Sequence, residues 1–551
     1  MLASLKFASQ LLLTGTTSTT AASRSGGKTM SSHVALLEGP SLYESHKRGL
    51  RFLTQHLVPS EDGSGFLFIG KARSRVLESA LTLHLLRQSE RDWRWQNRLR
   101  DYLQTHSPQA DGLSSLISAA VMGYARPQGV LERLRQLMGG LEYARRRKLA
   151  LLAMLLVELG LITLEEAQVR PEDFSEKAAH RFSQIYCSAL RLMYHRKAPQ
   201  GIDPTADRRF LEESQAANGS WEQQGLLTLL AMMGLGRTHS AFWKGMEYLR
   251  GTEREDGGIP FIDNQDVWVN ALAGLTLQAH GLYPDVQDEL ASFLAYRQQV
   301  NGGWAFTDGV AQTETDSTAN VVQLLLQRDR NRYAPAVDRA LEYFRGLQRD
   351  DGGYPTYERE GDSEITMTAN VLLVQSMCVG RHPELEPDLR RACQYMLERQ
   401  RSDGRFEKSW SVCETYSLFR VLWALDAYTA TTEAPQVETA RARALRYLRE
   451  SQNENGGWGQ GSGDPSDGLS TAYALASLGL LKNWFPVEQV RIHRGVGYLL
   501  SQQDQGTGAF VSIPDLVGPR PIPFDLPLLS TVFSLLALSF VWPGGPMENP
   551  R

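Results

Sequence analysis

Glu314 and Asp316, two carboxyl groups with one residue between them, stand at the head of an apolar run in Glu314-Thr-Asp-Ser-Thr-Ala-Asn-Val-Val-Gln-Leu-Leu-Leu326. Two kinds of chemistry suit that arrangement. A short polar side chain before Thr-Ala accepts hydrogen bonds from the first free N–H groups of a helix, so Asp316 and Ser317 read as a cap. Like charges so close also hold one carboxyl undissociated, and an acid whose conjugate base is stabilised by Ser317 or a helix amide is a proton donor. Parallel apolar runs open on Thr366-Met-Thr368, Leu469-Ser-Thr471 and Leu529-Ser-Thr531, and their lack of an acid favours the donor. Glu414, in Cys413-Glu-Thr-Tyr416, heads another run and has two uses: a structural cap, or a second acid or deprotonating base.

Something must position these groups, and the sequence beyond residue 210 supplies it as a repeat. A helix rich in Leu, Tyr and Arg leads to Gln, then to a turn of Asp, Asn and Gly, then to an aromatic residue. The copies run from Gln215 to Trp221, Gln298 to Trp304, Gln348 to Tyr354, Gln400 to Phe406, Gln452 to Trp458 and Gln502 to Phe510, with a weaker one at Thr252 to Ile259. From Trp304 onward the aromatic residues recur at intervals of 50, 52, 52 and 52. Such an interval holds two helices of about three turns with their connectors. Asn-Gly and Asp-Gly supply the positive φ at which a helix ends and the chain reverses, and the Gln amide and the ring are placed to bridge neighbouring units. Each turn is followed by an apolar segment suited to burial on both sides. Six of these line an inner ring, and six more polar helices surround it.

Weaker copies between residues 46 and 255, such as His46 to Gln55 before Asp62-Gly-Ser-Gly-Phe66, predict a second, degenerate barrel. The expected fold is all-α, two (α/α) helical barrels: residues 46–260 form the degenerate one and 261–551 the one carrying the acids, with 30–45 packing against the latter. Residues 1–29, Ser/Thr-rich and without an acidic side chain, read as a disordered leader or as an extension upstream of Met30. A formal charge of −4, from 58 Lys+Arg against 62 Asp+Glu, gives no reason to expect a nucleic-acid partner. Cys187, Cys378, Cys393 and Cys413 are too scattered for a disulfide framework or a structural zinc site. The longest apolar stretch, Leu526 to Val541, is too short and too interrupted to span a bilayer and reads as a buried helix.

The Gln-to-Trp turns resemble the QW repeats of class II terpene cyclases, the superfamily of squalene–hopene and oxidosqualene cyclases. Asp266-Val-Trp268, Asn301-Gly-Gly-Trp-Ala-Phe306 and Glu314-Thr-Asp-Ser-Thr-Ala319 follow in the order and approximate spacing of that family's landmarks. The match is detailed from about residue 210 onward and architectural from 40 to 210. Hopene cyclases carry Asp-x-Asp-Asp-Thr-Ala at the acidic motif, and oxidosqualene cyclases a single Asp before Cys-Thr-Ala. This chain keeps the central acid at Asp316, has Glu314 first and Ser317 in the last acidic place. The resemblance implies that Asp316 is the general acid and that the reaction is a protonation-initiated cyclisation through carbocations. Asn370 stands where hopene cyclases have the His that orients the acid. An amide cannot return a proton to solvent, so either reprotonation takes another route or the cation is quenched differently.

Trp268, Phe306, Trp410 and Tyr416 fall on family positions that line the cavity, and Tyr473 and Phe524 lie beside them in the pattern. Aromatic faces stabilise a cation without attacking it, while ordinary core packing is their other use. The implied substrate is a lipophilic isoprenoid of squalene, epoxide or meroterpenoid type. It would be drawn from a bilayer by a cytoplasmic or peripheral, monotopic enzyme with no redox cofactor and no metal. Oligomeric state leaves no mark on the sequence. Three readings compete. A prenyl diphosphate, as in class II diterpene cyclases, would need a basic pocket and bring Mg2+; Lys71, Arg73 and Arg75 or Arg145 to Lys148 would supply it, unless they are solvated helix surface. A protein prenyltransferase-like barrel would hold zinc with Cys413 and Asp467, but Ser470 stands where the His ligand belongs. The third is a non-catalytic barrel that only binds isoprenoids.

Overall fold

The computed structural model describes residues 40–60, 65–89, 92–124, 129–139, 145–174, 180–199, 203–482 and 489–542. The segment 1–29 and residues 30–39 lie outside the described residues. Helices of the first half are α1 (Pro40–Gln55), α2 (Val76–Ser89), α3 (Trp93–His106), α4 (Gly112–Met122), α5 (Val130–Leu137), α6 (Arg145–Glu158), α7 (Leu164–Ala167), α8 (Arg181–Lys197), α9 (Thr205–Ser214), α10 (Gly225–Leu235) and α11 (Ser240–Gly251). The second half alternates inner α12 (Asp266–Ala279), α14 (Thr315–Asp329), α16 (Ile365–Cys378), α18 (Glu414–Thr429), α20 (Gly468–Leu481) and α22 (Pro527–Val541) with outer α13 (Pro284–Tyr296), α15 (Ala334–Leu347), α17 (Glu386–Arg399), α19 (Gln436–Glu450) and α21 (Gln489–Ser501). The fold is all-α; among the described residues three short antiparallel strand pairs join loops.

Residue patterning separates the two rings. Every residue of α20 is buried, whereas α19 buries one stripe formed by Val437, Ala440, Arg441, Ala444, Leu445, Tyr447 and Leu448, as a helix with one wet face must. Each inner helix packs on the next, and α22 returns to α12 to close the ring.

A single repeat shows how the turn works. Gly302 has φ +87°, and a Cβ there would stand 2.3 Å from the Arg339 carbonyl oxygen of the next outer helix. Gln298 Nε2 donates to the carbonyls of Gly302 at 2.8 Å and Ala336 at 2.7 Å, so the amide ties its own turn to that same helix. The ring of Trp304 turns inward, its Nε1 donating to Leu294 O at 2.7 Å, back to the helix it follows.

Among the described residues the outer ring of the C-terminal barrel has five helices from its own half. Its sixth place is taken by α1, which packs on α22. The closing contact repeats the usual one: Gln503 Nε2 donates to Ser45 O at 2.8 Å and Gly508 O at 2.9 Å. This corrects two expectations. His46 to Gln55 belongs to the C-terminal barrel and not to the degenerate one, and the bridging amide of the last repeat is Gln503 and not Gln502.

In the N-terminal barrel α2, α4, α6, α8 and α10 form the inner wall, with α5 between α4 and α6. Ser74 and Arg75 pair with Pro260 and Ile259, which ties the start of the N-terminal barrel to its end. All four cysteines are buried thiols. No helix among the described residues is long and apolar enough to cross a membrane.

Candidate active site

A cavity of about 530 Å³ lies between the two barrels, and α6, α8, α10, α12 and α14 line it with residues near their amino-terminal ends. The N-terminal barrel contributes Lys148 and Leu151 of α6, Phe182 and Tyr186 of α8, and Leu226 and Leu227 of α10. From the C-terminal barrel come Trp268, Phe306, Glu314, Asp316, Trp410 and Phe524. The turn of the preceding repeat sets the height of the acid pair, because Glu314 N donates to Trp304 O at 2.9 Å and Trp304 N donates to Thr318 Oγ1 at 2.9 Å.

Asp316 is held from one side. Its Oδ1 accepts from Asn320 Nδ2 and from Asn370 Nδ2, each at 2.7 Å. Behind these amides lies Arg420, whose Nε donates to Asn370 Oδ1 at 2.5 Å and whose second arm donates to Asn320 Oδ1 at 3.1 Å. The Trp268 indole N–H stands near the carboxyl without the geometry of a full hydrogen bond. Burial pushes the Asp316 carboxyl above its ordinary value, against the pull of Arg420 and the indole and amide donors. Glu314 is pushed further, to about 8, first by burial and then by the neighbouring Asp316 charge, with the Ser317 hydroxyl opposing. The expected order is therefore altered: desolvation does most of what repulsion was expected to do. Ser317 is also aimed elsewhere, since its hydroxyl donates to Glu314 Oε1 at 2.6 Å and not to Asp316.

Glu364 stands in the next repeat where Glu314 stands here, each paired with the aromatic residue of its own turn, Tyr354 or Trp304. The contrast with acid-free parallel helices thus holds for Asp316, matched by Thr366, but not for Glu314. Burial would raise the Glu364 carboxyl, yet Arg520 at 2.9 Å, Thr356 and Ser409 hold it below its ordinary value. Arg520 also lies 4.4 Å from the centre of the Trp410 ring. Beside this pair the cavity carries Arg147, Lys148 and His180. Burial, then the neighbouring cations, drives His180 down to about 3, so the ring is neutral. Its Nδ1 accepts from Ser183 N at 3.3 Å, which leaves Nε2–H as the free donor. The run Arg145 to Lys148, expected as solvated surface, divides: Arg145 and Arg146 are exposed, while Arg147 and Lys148 line the cavity.

Of the aromatic residues read from the sequence, Trp268, Phe306, Trp410 and Phe524 line the cavity. Tyr416 and Tyr473 do not. They pack on each other at 5.0 Å and on Phe533 behind the wall, and the Tyr473 hydroxyl donates to Asp515 at 3.1 Å. Glu414 is corrected as a second acid or base: it lies away from the cavity, paired with Arg405 and receiving the Tyr447 hydroxyl at 2.5 Å. In the zinc-like set a hydroxyl takes the third place: Ser470 Oγ donates to Cys413 Sγ at 3.1 Å, and Asp467 accepts from Ser470 N at 2.8 Å. Among the described residues no group of three or more His, Cys, Asp or Glu could hold a metal ion. Sequence reasoning passed over Asn320, Arg420, Glu364 and Arg520. One signal was present: Asn320 lies four residues after Asp316, one helical turn on the same face.

Comparison with known proteins fits this geometry. The squalene-hopene cyclase C-terminal domain family matches residues 291–539. A drimenyl diphosphate synthase of Streptomyces showdoensis is 32% identical over 495 residues, 87% of this chain and 91% of that protein. The chain belongs to the class II terpene cyclases. A second drimenyl diphosphate synthase, from Streptantibioticus cattleyicolor, is 31% identical over 518 residues, 90% of this chain and 94% of that protein. The solved structure of an ent-copalyl diphosphate synthase from Streptomyces platensis shares the fold, with a TM-score of 0.55 at 15% identity over 91% of this chain and 100% of that one. The protein is thus an enzyme of isoprenoid biosynthesis, a terpene cyclase whose cavity is walled by both of its barrels.

Proposed function

We propose that this terpene cyclase closes rings on a linear prenyl diphosphate, protonating an alkene of the chain and leaving the diphosphate intact. One observation carries the choice of substrate: the cavity that holds Asp316 also holds Arg147, Lys148, His180 and Arg520. A hydrocarbon or an epoxide has no use for so many donors in one cavity, whereas a diphosphate needs several N–H donors in a desolvated site. Similarity to two drimenyl diphosphate synthases supports a drimenyl-type diphosphate as product.

In this reading Asp316, kept protonated by burial, gives its proton to the alkene and creates a tertiary cation. Internal double bonds attack in turn, and a final proton loss restores an alkene, so substrate and product are isomers. Trp268, Phe306, Trp410 and Phe524 face the migrating charge. Mg2+ would arrive as the counter-ion of the diphosphate, held by its phosphate oxygens and by water; Glu358, Glu360 and Asp362 line the same cavity without forming a ligand group.

Incubation with farnesyl and geranylgeranyl diphosphates, squalene, its epoxide and prenylated aromatics, with and without EDTA, tests the substrate class. The expected product is a cyclic diphosphate, identified by mass spectrometry; turnover of squalene or its epoxide alone would sink the proposal. Asp316→Asn should lose roughly 10²–10⁴-fold in turnover and still bind the diphosphate. Unchanged turnover in that variant would remove Asp316 as the acid and leave a barrel that works by another group.

A further inference from the structure

Arg420 is 2% exposed, deep in the ring of inner helices. Among the described residues it makes no ion pair with a carboxylate, and its Nη1 is buried without a hydrogen-bond partner. Phe419 and Trp423 flank it, with ring centres at 6.0 and 5.6 Å. Its remaining donors go to two amide oxygens, one on α14 and one on α16, and both amides turn their N–H groups to the same oxygen of Asp316. Three helices thus meet at one four-residue cluster.

We infer that Arg420 is a positioning residue for proton donation: it fixes the polarity of the Asn320 and Asn370 amides and so decides which oxygen of Asp316 carries the proton. The argument is one of donors and acceptors. A guanidinium only donates, and a side-chain amide has one accepting and one donating end. With Arg420 claiming both accepting ends, both donating ends must face Asp316. An oxygen that accepts two N–H groups carries no proton, so the proton resides on Oδ2. Without Arg420 either amide could turn over and present its oxygen to the acid, which would hold the proton back as a hydrogen-bond donor to the protein.

The same link makes release of the proton favourable. While Asp316 is neutral, Arg420 is a buried cation with no counter-ion, a costly state. Once the proton leaves, the carboxylate becomes that counter-ion through two amides polarised in its direction. Burial alone would make Asp316 a weak acid, and Arg420 restores its strength without touching substrate.

This inference rests on Asp316 as the proton donor, so Asp316→Asn is measured beside the test variants. Arg420→Met removes the charge at similar volume. It should lower kcat by at least tenfold with KM changed less than threefold, and move the alkaline limb of the kcat–pH profile to higher pH, because the uncompensated acid loses its proton later. The loss should be smaller on the terminal epoxide of the same diphosphate, which accepts a proton more readily. Arg420→Lys, which keeps the charge, should leave the limb near its wild-type position. Should Arg420→Met fail to fold, by circular dichroism, Asn370→Ala cuts one of the two links and should move the limb in the same direction by less. An unmoved limb in the foldable variants, with equal losses on alkene and epoxide, would reduce Arg420 to core packing and overturn the inference while the acid reading stands. Full activity in Asp316→Asn would overturn both.

Discussion

Glu314 and Asp316 share a helix start but not an environment. Oδ1 of Asp316 accepts from two amides backed by a guanidinium, whereas Glu314 has one hydroxyl, from Ser317. Burial therefore meets little opposition at Glu314, and its carboxyl rises from 4.5 to about 8. The sign of the linkage follows: between pH 4.5 and about 8 the unfolded chain gives up a proton that the native one keeps. Stability contributed by this group is complete below the lower value and drains away as pH rises through the upper. Glu314→Gln should remove a slope of at most about 1.4 kcal/mol per pH unit across that window, read as urea midpoints from pH 5 to 8.5; identical slopes in the two proteins would mean Glu314 is ionised in the native state. The acid pair and Asn370 were legible because their types and order match a known pattern. Arg420 and Glu364 were not, since an arginine in an apolar run gives no sign of what it faces until three helices are brought together. Glu414 misled for the same reason: the head of an inner helix looks alike in sequence whether it opens on the cavity or on Arg405.

Elements here are fixed less by helix propensity than by the joints between repeats. Gly302, Gly352, Gly404 and Gly456 all have φ between +83° and +97°, and at each an added Cβ would come within 2.2–2.6 Å of a carbonyl oxygen on the next outer helix. These joints were the most readable part of the chain, because positive φ, a close approach and a helix stop all demand the same residue. Gly302→Ala should therefore cost about 1–3 kcal/mol from strain alone, with more from the clash. Gly497 is the contrast: it lies inside α21, and a Cβ there meets nothing within 4 Å. Gly497→Ala should stabilise by roughly 0.5–1 kcal/mol, measured by urea unfolding of both variants in parallel. A similar loss at both sites would mean that the joint carries no more than its backbone entropy. In the last repeat the register was misread by one residue, because Gln502 and Gln503 are adjacent and the turn that follows carries extra residues. The contacts of Gln503 with Ser45 and Gly508 distinguish them.

At the scale of the molecule the first helix completes a ring whose other members come from the second half of the chain. Periodicity could not reveal this: Leu42, Leu50 and Leu53 are all buried, and such a stripe would suit either barrel. What identifies the partner is a pair of histidines 234 residues apart, with His46 Nε2 3.1 Å from His280 Nδ1 and His280 Nε2 donating to Leu535 O at 3.0 Å. The carbonyl requires a proton on His280 Nε2, so His280 Nδ1 accepts from His46 Nε2–H and the contact holds only while His280 is neutral. Burial, and then His280, lowers His46 from 6.5 to about 3, and burial lowers His280 as well. Depressed histidines contribute stability that is complete above pH 6.5 and is lost as pH falls toward about 3. There the unfolded chain binds protons that the docked helix refuses. Acid should thus undo the joint between α1 and α22, and His46→Gln, which cannot titrate, should flatten the fall in urea midpoint between pH 6.5 and 4. With α1 docked on α22, cleavage by a protease at the end of α1, around His56, should also become faster in that window for the wild type and not for His46→Gln. Parallel cleavage rates for the two proteins at every pH would show that the histidine pair does not hold the ring closed.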